Sequence, residues 1–228
     1  RLLGRCLTGR MEWSLLATLD QAERDALLST TRRRAFAKGE VVVHEGDPAD
    51  SLHLVESGML AVRVTTADGA SATLNVLGPG SYFGELSLLD GHPPTRSATV
   101  VALEPAVTRV LPASGFEELR RRHRAAEQLL LTLLARRVEE LSSRLLEATY
   151  DGLDRRVYRR LHELVELYAE APGPVTVPLT QELLAELVGG TRPSVNQVLQ
   201  RLVARGVVEL GRGRLTVTDR GWLADRSR

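Results

Sequence analysis

In the stretch FGELSLLDGHPPTRSATV, residues 83–100, a carboxylate and a guanidinium stand at the two ends of one short loop. They are Glu85, beside Gly84, and Arg96, followed by Ser97 and Ala98. An arginine offers a planar fork of donors that matches the oxygens of a phosphate or a carboxylate. The Ser97 hydroxyl adds a neutral donor beside it, and Glu85 can accept from a hydroxyl. Gly84 and Ala98 leave room for backbone to come close to a bound molecule. The same two charges can also pair with each other and simply close the loop. From the pair alone, that internal ion pair is the simpler reading.

A second charged cluster lies at the other end of the chain. From Thr191 to Arg228 there are eight arginines and three acidic residues, a local balance of +5, although the whole chain carries only +1. Such a segment suits a polyanion, nucleic acid above all. Other chemistries find little support. The five histidines, His44, His53, His92, His123 and His162, are scattered without paired metal-ligand spacing. The one cysteine, Cys6, excludes an internal disulfide and a cysteine-bound iron–sulfur cluster, and fits a reducing cytoplasm. No Ser-His-Asp or Cys-His arrangement stands out, so an enzyme is not expected. No apolar run approaches the ~20 residues of a membrane span, and no signal peptide is evident. Residues 1–10 precede the first methionine, Met11, and carry no weight in the reading.

The elements that hold these residues follow from periodicity. Trp13 to Thr30 has helical spacing. Short β-branched runs follow at Val41–Val43, Leu52–Val55, Leu60–Val64 and Ala72–Val76, with turn signals between them, and RSATVVALEPAVTRVLP adds two more strands. Many short strands at this spacing predict an antiparallel roll or barrel. Pro112 to Ala148 then reads as one long helix. Leu130, Leu134, Val138, Leu141, Leu145 and Ala148 form a narrow apolar seam along it, suited to a second copy of the same helix. The bland alternative is a helix packed on its own roll. Asp151-Gly152 breaks the helix as a hinge, and Leu153 to Ala169 forms the next one. APGPVTVPLT makes a connection. Thr180 caps a helix, Gly189-Gly190 turns, Thr191 caps a second helix, and GVVELGRGRLTVTD is a hairpin. Helix, glycine turn, helix and hairpin describe a winged helix-turn-helix.

The motifs KGEVVVHEGDPADSLHLVESG, FGELSLLDGHPPTRSATV and LTQELLAELVGGTRPSVNQVLQRL, in that order, resemble the cyclic-AMP receptor protein/FNR (Crp/Fnr) family of bacterial transcription regulators. The resemblance runs from about Met11 to near the end of the chain. It implies an α+β chain in three parts. These are a cyclic-nucleotide-binding β-roll of double-stranded β-helix, jelly-roll-like form with an N-terminal helix (residues 11–112), a dimerisation helix and hinge (113–150), and a winged helix-turn-helix (151–228). In the family the loop is a phosphate-binding cassette. Gly84, Glu85, Arg96 and Ser97 match its contacting positions, and Leu86, Ser87 and Ala98 lie within it. Arg96 and Ser97 would hold the phosphate, and Glu85 the ribose 2′-hydroxyl. The Gly84–Ser87 turn would aim N–H groups at the anion. Ser142 matches a base-contacting serine that reaches in from the other subunit; its usual threonine neighbour is Leu141 here. The loop between Glu85 and Arg96 is one residue longer than in the cyclic-AMP receptor protein itself.

For DNA, Thr191 would bond a phosphate and Arg192 would reach a guanine. Pro193 stands where the family often has a base-reading Glu, and it fits the first helical position. Ser194 faces the groove, and Gln197 replaces a later arginine. Gln181, Arg212 and Arg214 are expected on the DNA backbone. The expected function is a homodimeric, cytoplasmic transcription regulator that binds double-stranded DNA under control of cyclic AMP and works with RNA polymerase. Three alternatives stay open. The same fold can act without a ligand. It can answer to cyclic GMP, a cyclic dinucleotide or haem. Or it can serve as the cyclic-nucleotide-gated regulatory subunit of an enzyme.

Overall fold

Glycine turns cut the β-branched first half into short strands, and antiparallel pairing stacks these strands into two four-stranded sheets. The structure, a computed structural model of the chain, describes residues 13, 16–17, 19–65, 69, 71–88, 95–122, 125–169 and 171–227. Helix α1 (Gln21–Ser29) opens on a capping box in which the Asp20 and Glu23 side chains each accept from the other's backbone N–H. The strands of the roll are β1 (Arg32–Phe36), β2 (Val41–Val43), β3 (Ser51–Ser57), β4 (Leu60–Thr65), β5 (Ser71–Leu77), β6 (Tyr82–Phe83), β7 (Thr99–Ala102) and β8 (Ala106–Pro112). One sheet has the order β1-β8-β3-β6, the other β2-β7-β4-β5. A 3₁₀ turn, Glu85–Leu88, follows β6.

Contacts divide the chain into two compact units, one of residues up to Ser71 with Asn75–Leu141, the other of Ala72–Leu74 with Ser142–Arg228. In the first, Phe36, Val42, Val55, Leu60, Leu77, Phe83, Val100, Ala102 and Ala106 fill the roll. A second cluster closes its end with Trp13, Leu27, Leu52, Leu54, Leu88, Leu111 and Phe116, joined by Leu129 and Leu133 from helix α3 (Ala125–Tyr150). The indole of Trp13 donates to the Val55 carbonyl at 3.0 Å. The single long helix expected from Pro112 onward is two, α2 (Ala113–Arg122) and α3, with residues 123–124 between them outside the described set. Leu129 and Leu133 face the roll, whereas Val138, Leu141 and Leu145 of the expected seam are 63%, 53% and 68% exposed.

In the second unit, α4 (Leu153–Tyr168) buries Val157, Leu161, Leu164 and Val165. Helices α5 (Gln181–Val188) and α6 (Arg192–Ala204) follow, joined by Gly189 in left-handed conformation, φ 60°, and Gly190. A Cβ on Gly190 would stand 2.9 Å from Leu153 Cδ1, so the turn packs closely on α4. The sheet β9 (Val175–Val177), β11 (Arg214–Val217), β10 (Val208–Gly211) and a terminal helix α7 (Arg220–Arg226) complete a winged helix-turn-helix. Four elements were not read from the sequence, the two-residue strand β6 among them. β1 is a strand of three arginines, Ala and Phe. β9 lies inside the segment read as a mere Pro/Gly connection. α7 follows the hairpin.

Candidate functional site

Arg96 is placed by backbone before its side chain acts. Its N–H donates to the Asp47 carbonyl at 2.7 Å, and its own carbonyl accepts from Gly46 N at 2.9 Å. A bridge between Pro48 and Thr95 supports the same crossing. The side chain is buried. Nη1 donates to the Ser51 carbonyl at 2.8 Å and Nη2 to the Ser51 hydroxyl at 2.9 Å. Asp50 Oδ1 lies 3.7 Å from Nη2. Burial lowers the guanidinium's pKa, against the carboxylates of Asp50, Asp47 and Glu85, which raise it. Its Nε is buried with no hydrogen-bond partner among the described residues.

Gly84 lies directly against this group. Its φ is +83°, and a Cβ there would fall 2.4 Å from Arg96 Nη1 and 2.6 Å from the Ser51 carbonyl. Only glycine fits both the conformation and the space. Glu85 begins the 3₁₀ turn and is buried, with Oε1 3.9 Å from Nε of Arg137 on α3. The simple loop-closing pair gives way to two separate partnerships, Arg96 with Ser51 and Asp50, Glu85 with Arg137. The Ser87 hydroxyl donates to the Gly84 carbonyl at 2.6 Å, which ties the turn to its own start. Leu88 enters the core, Leu86 and Ala98 are half-buried, and Ser97 is exposed. The structure therefore brings Gly84, Glu85, Ser87 and Arg96 together. Ser142 lies on α3, exposed, five positions beyond Arg137. The longer loop expected between Glu85 and Arg96, with His92, falls at residues 89–94, outside the described residues, as do Cys6 and His123.

Three residues beside this site escaped the sequence reading. Ser51 and Arg137 are far from the cassette in the chain. The third is His53, on the same face of β3 as Ser51. It is buried, stacks on Phe83 with ring centroids 4.6 Å apart, and shares a 3.2 Å hydrogen bond with the Thr108 hydroxyl. Burial first, then the charges of Arg96 and Arg34, lower its pKa to about 3. The ring is a neutral structural group under the cassette. No cluster of His, Cys, Asp or Glu among the described residues is arranged to hold a metal.

The second candidate surface is the start of α6. The Thr191 side chain accepts from Ser194 N at 3.3 Å and its hydroxyl meets the Ser194 hydroxyl at 2.9 Å, so both are engaged in the cap. Arg192 is the first helical residue, and Pro193 the second rather than the first, where its missing N–H still costs no intrahelical bond. Arg192 is exposed, with Nη1 3.7 Å from Glu182 Oε2. Gln197 is exposed on the next turn, and Gln181 is half-buried at the start of α5. Arg212 and Arg214 are exposed on the β10–β11 hairpin, whose turn uses Gly213 at φ 68°. The arrangement presents one helix end and one hairpin, both cationic.

Known proteins share this layout. Residues 33–123 match the cyclic nucleotide-binding domain family, and residues 155–226 the Crp-like helix-turn-helix domain family. Over 196 residues the chain is 34% identical to a CRP-like cAMP-activated global transcriptional regulator of Mycobacterium tuberculosis, covering 85% of this chain and 87% of that protein. It is 34% identical over 203 residues to the cyclic AMP receptor protein of Thermus thermophilus, 89% of this chain and 91% of that one. The solved structure of FixK2 from Bradyrhizobium japonicum has a like fold, with a TM-score of 0.75 at 19% identity over 87% of this chain and 98% of that one.

Proposed function

The chain belongs to the Crp/Fnr family of bacterial transcription regulators, and on that basis we propose that it is a homodimer whose DNA binding answers to a cyclic nucleotide, cyclic AMP foremost, held on Arg96. One observation carries the reading: the buried Arg96 Nε has no partner among the described residues, on a guanidinium that packs directly against Gly84, where a Cβ would collide with Nη1. A buried cationic donor left unpaired is costly, and a phosphate oxygen satisfies it. Glu85, already held by Arg137, accepts from the ribose 2′-hydroxyl. Ser97, exposed beside Arg96, adds a hydroxyl donor, and Ser142 of a second copy approaches the base.

The exposure of Val138, Leu141 and Leu145 on α3 supports docking of a second copy along that seam. The helix-turn-helix reads a two-fold-symmetric operator, with Arg192, Ser194 and Gln197 on base edges and Thr191, Gln181, Arg212 and Arg214 on the backbone. Nucleotide acts by binding one state of the dimer more tightly than the other. The protein itself catalyses nothing; it works in the cytoplasm, and RNA polymerase is the partner that transcriptional control requires. Calorimetric titration with cyclic AMP, cyclic GMP and a cyclic dinucleotide tests this. Cyclic AMP is expected to bind most tightly, and Arg96→Leu to lose about 2–5 kcal/mol of that binding. Binding of none of the three would leave a ligand-independent regulator, and undiminished binding by Arg96→Leu would place the phosphate elsewhere.

A further inference from the structure

Arg96 meets the protein through one edge of its guanidinium. Nη1 and Nη2, the end-on pair, both go to Ser51, to its carbonyl and its hydroxyl. That hydroxyl in turn donates to Asp50 Oδ1 at 2.9 Å. With its proton given to Asp50, the Ser51 oxygen has only lone pairs to turn toward Nη2. The carbonyl beside it is fixed by strand β3, where Ser51 pairs with Pro112 of β8. The guanidinium is thus held by a rigid acceptor pair on a strand, while Nε, on the side-on edge, is buried and unpartnered among the described residues.

We propose that Ser51 is a positioning residue that fixes which edge of Arg96 receives the phosphate, and so makes the site discriminate between the two exocyclic oxygens of a cyclic phosphodiester. The inference rests on the nucleotide reading above. Without the Ser51 hydroxyl the guanidinium keeps only the carbonyl bond from Nη1, one point about which it can pivot, and the pre-organised contact is weakened. A fixed side-on edge meets the two exocyclic oxygens unequally, because they project from opposite faces of the cyclic phosphate. Replacing one or the other by sulfur therefore weakens binding by different factors.

The experiment measures the affinity of the full-length protein, Ser51→Ala and Ser51→Thr for cyclic AMP, its two phosphorothioate diastereomers and adenosine. Ser51→Ala is expected to lose on the order of tenfold in cyclic AMP affinity and to bring the two diastereomers close to equal affinity. Adenosine, which has no phosphate, is expected to bind all three proteins alike. Ser51→Thr keeps the hydroxyl and is expected to keep both the affinity and the diastereomer ratio. A Ser51→Ala protein with the original affinity and ratio overturns the proposal, as does a loss shared equally by adenosine, which would make Ser51 merely structural. If the unaltered protein binds no cyclic nucleotide, the nucleotide reading itself fails and this proposal with it.

Discussion

His53 shows how a single buried side chain can set the acid limit of the roll. Its neutral ring fills the space between Phe83 and Thr108, beside the Arg96 guanidinium, and protonation there would put a second cation into a desolvated place. In the unfolded chain the imidazole regains its ordinary pKa of 6.5, while in the fold it is about 3. Between those values the unfolded state binds the extra proton. Stability is therefore complete above pH 6.5 and falls as pH drops toward 3, by about 1.4 kcal/mol per pH unit. Urea unfolding followed from pH 7 to pH 5 is expected to show a falling midpoint, and His53→Phe a distinctly flatter one. Parallel curves for the two proteins would remove His53 from the account. At this scale the sequence was informative where chemistry is local. Gly84, Glu85 and Arg96 stand in one short segment; their types alone left a loop-closing ion pair as the simpler reading, and the whole motif, through its family resemblance, pointed to an oxyanion site. Ser51, His53 and Arg137 come from strand and helix positions far away in the chain, and only strand register and helix packing bring them in.

Among the elements, α3 carries two jobs on two faces. Leu129 and Leu133 are buried in its own unit, whereas Val138, Leu141 and Leu145 are exposed. The spacing of apolar residues marked the second face, and the split between the faces needed the structure. Leu141→Glu with Leu145→Glu puts charges only on that exposed face, so helicity is expected to hold while sedimentation shows monomers in place of dimers. An unchanged dimer mass would move the interface to another surface. Strands β1 and β9 were illegible for a clear reason. Residues 32–34 are three arginines, exposed on an edge strand where Arg33 and Arg109 share Glu56, so no apolar alternation marks β1. β9 is three residues between prolines, and its pairing with β11 decides its conformation more than its own propensity does.

At the scale of the whole molecule, cationic charge is segregated to the C-terminal segment, and two of its arginines should behave differently on DNA. Arg192 opens α6, in the position that enters a major groove, and Arg212 tips the hairpin. On a randomised operator library at fixed salt, Arg192→Ala is expected to lose about 1–3 kcal/mol of discrimination at one base per half-site. Arg212→Ala is expected to weaken all sequences alike and to lower the salt slope. A uniform loss for Arg192→Ala, with base preferences intact, would make it a phosphate clamp and leave reading to Ser194, Gln197 or DNA shape. The order of the parts was legible because periodicity changes from strand to seam to helix-turn-helix along the chain. The chain has two tryptophans, and each compact unit holds one. Trp13 is buried with its indole on the Val55 carbonyl, and Trp222 is half-buried, with the guanidinium carbons of Arg226 and Arg205 4.3 and 5.6 Å from its ring centroid. A sequestered indole emits at shorter wavelength than one near water and cations. The molecule therefore carries a built-in two-colour fluorescence reporter, and replacing either tryptophan by phenylalanine leaves an optical signal for the melting of the other unit alone.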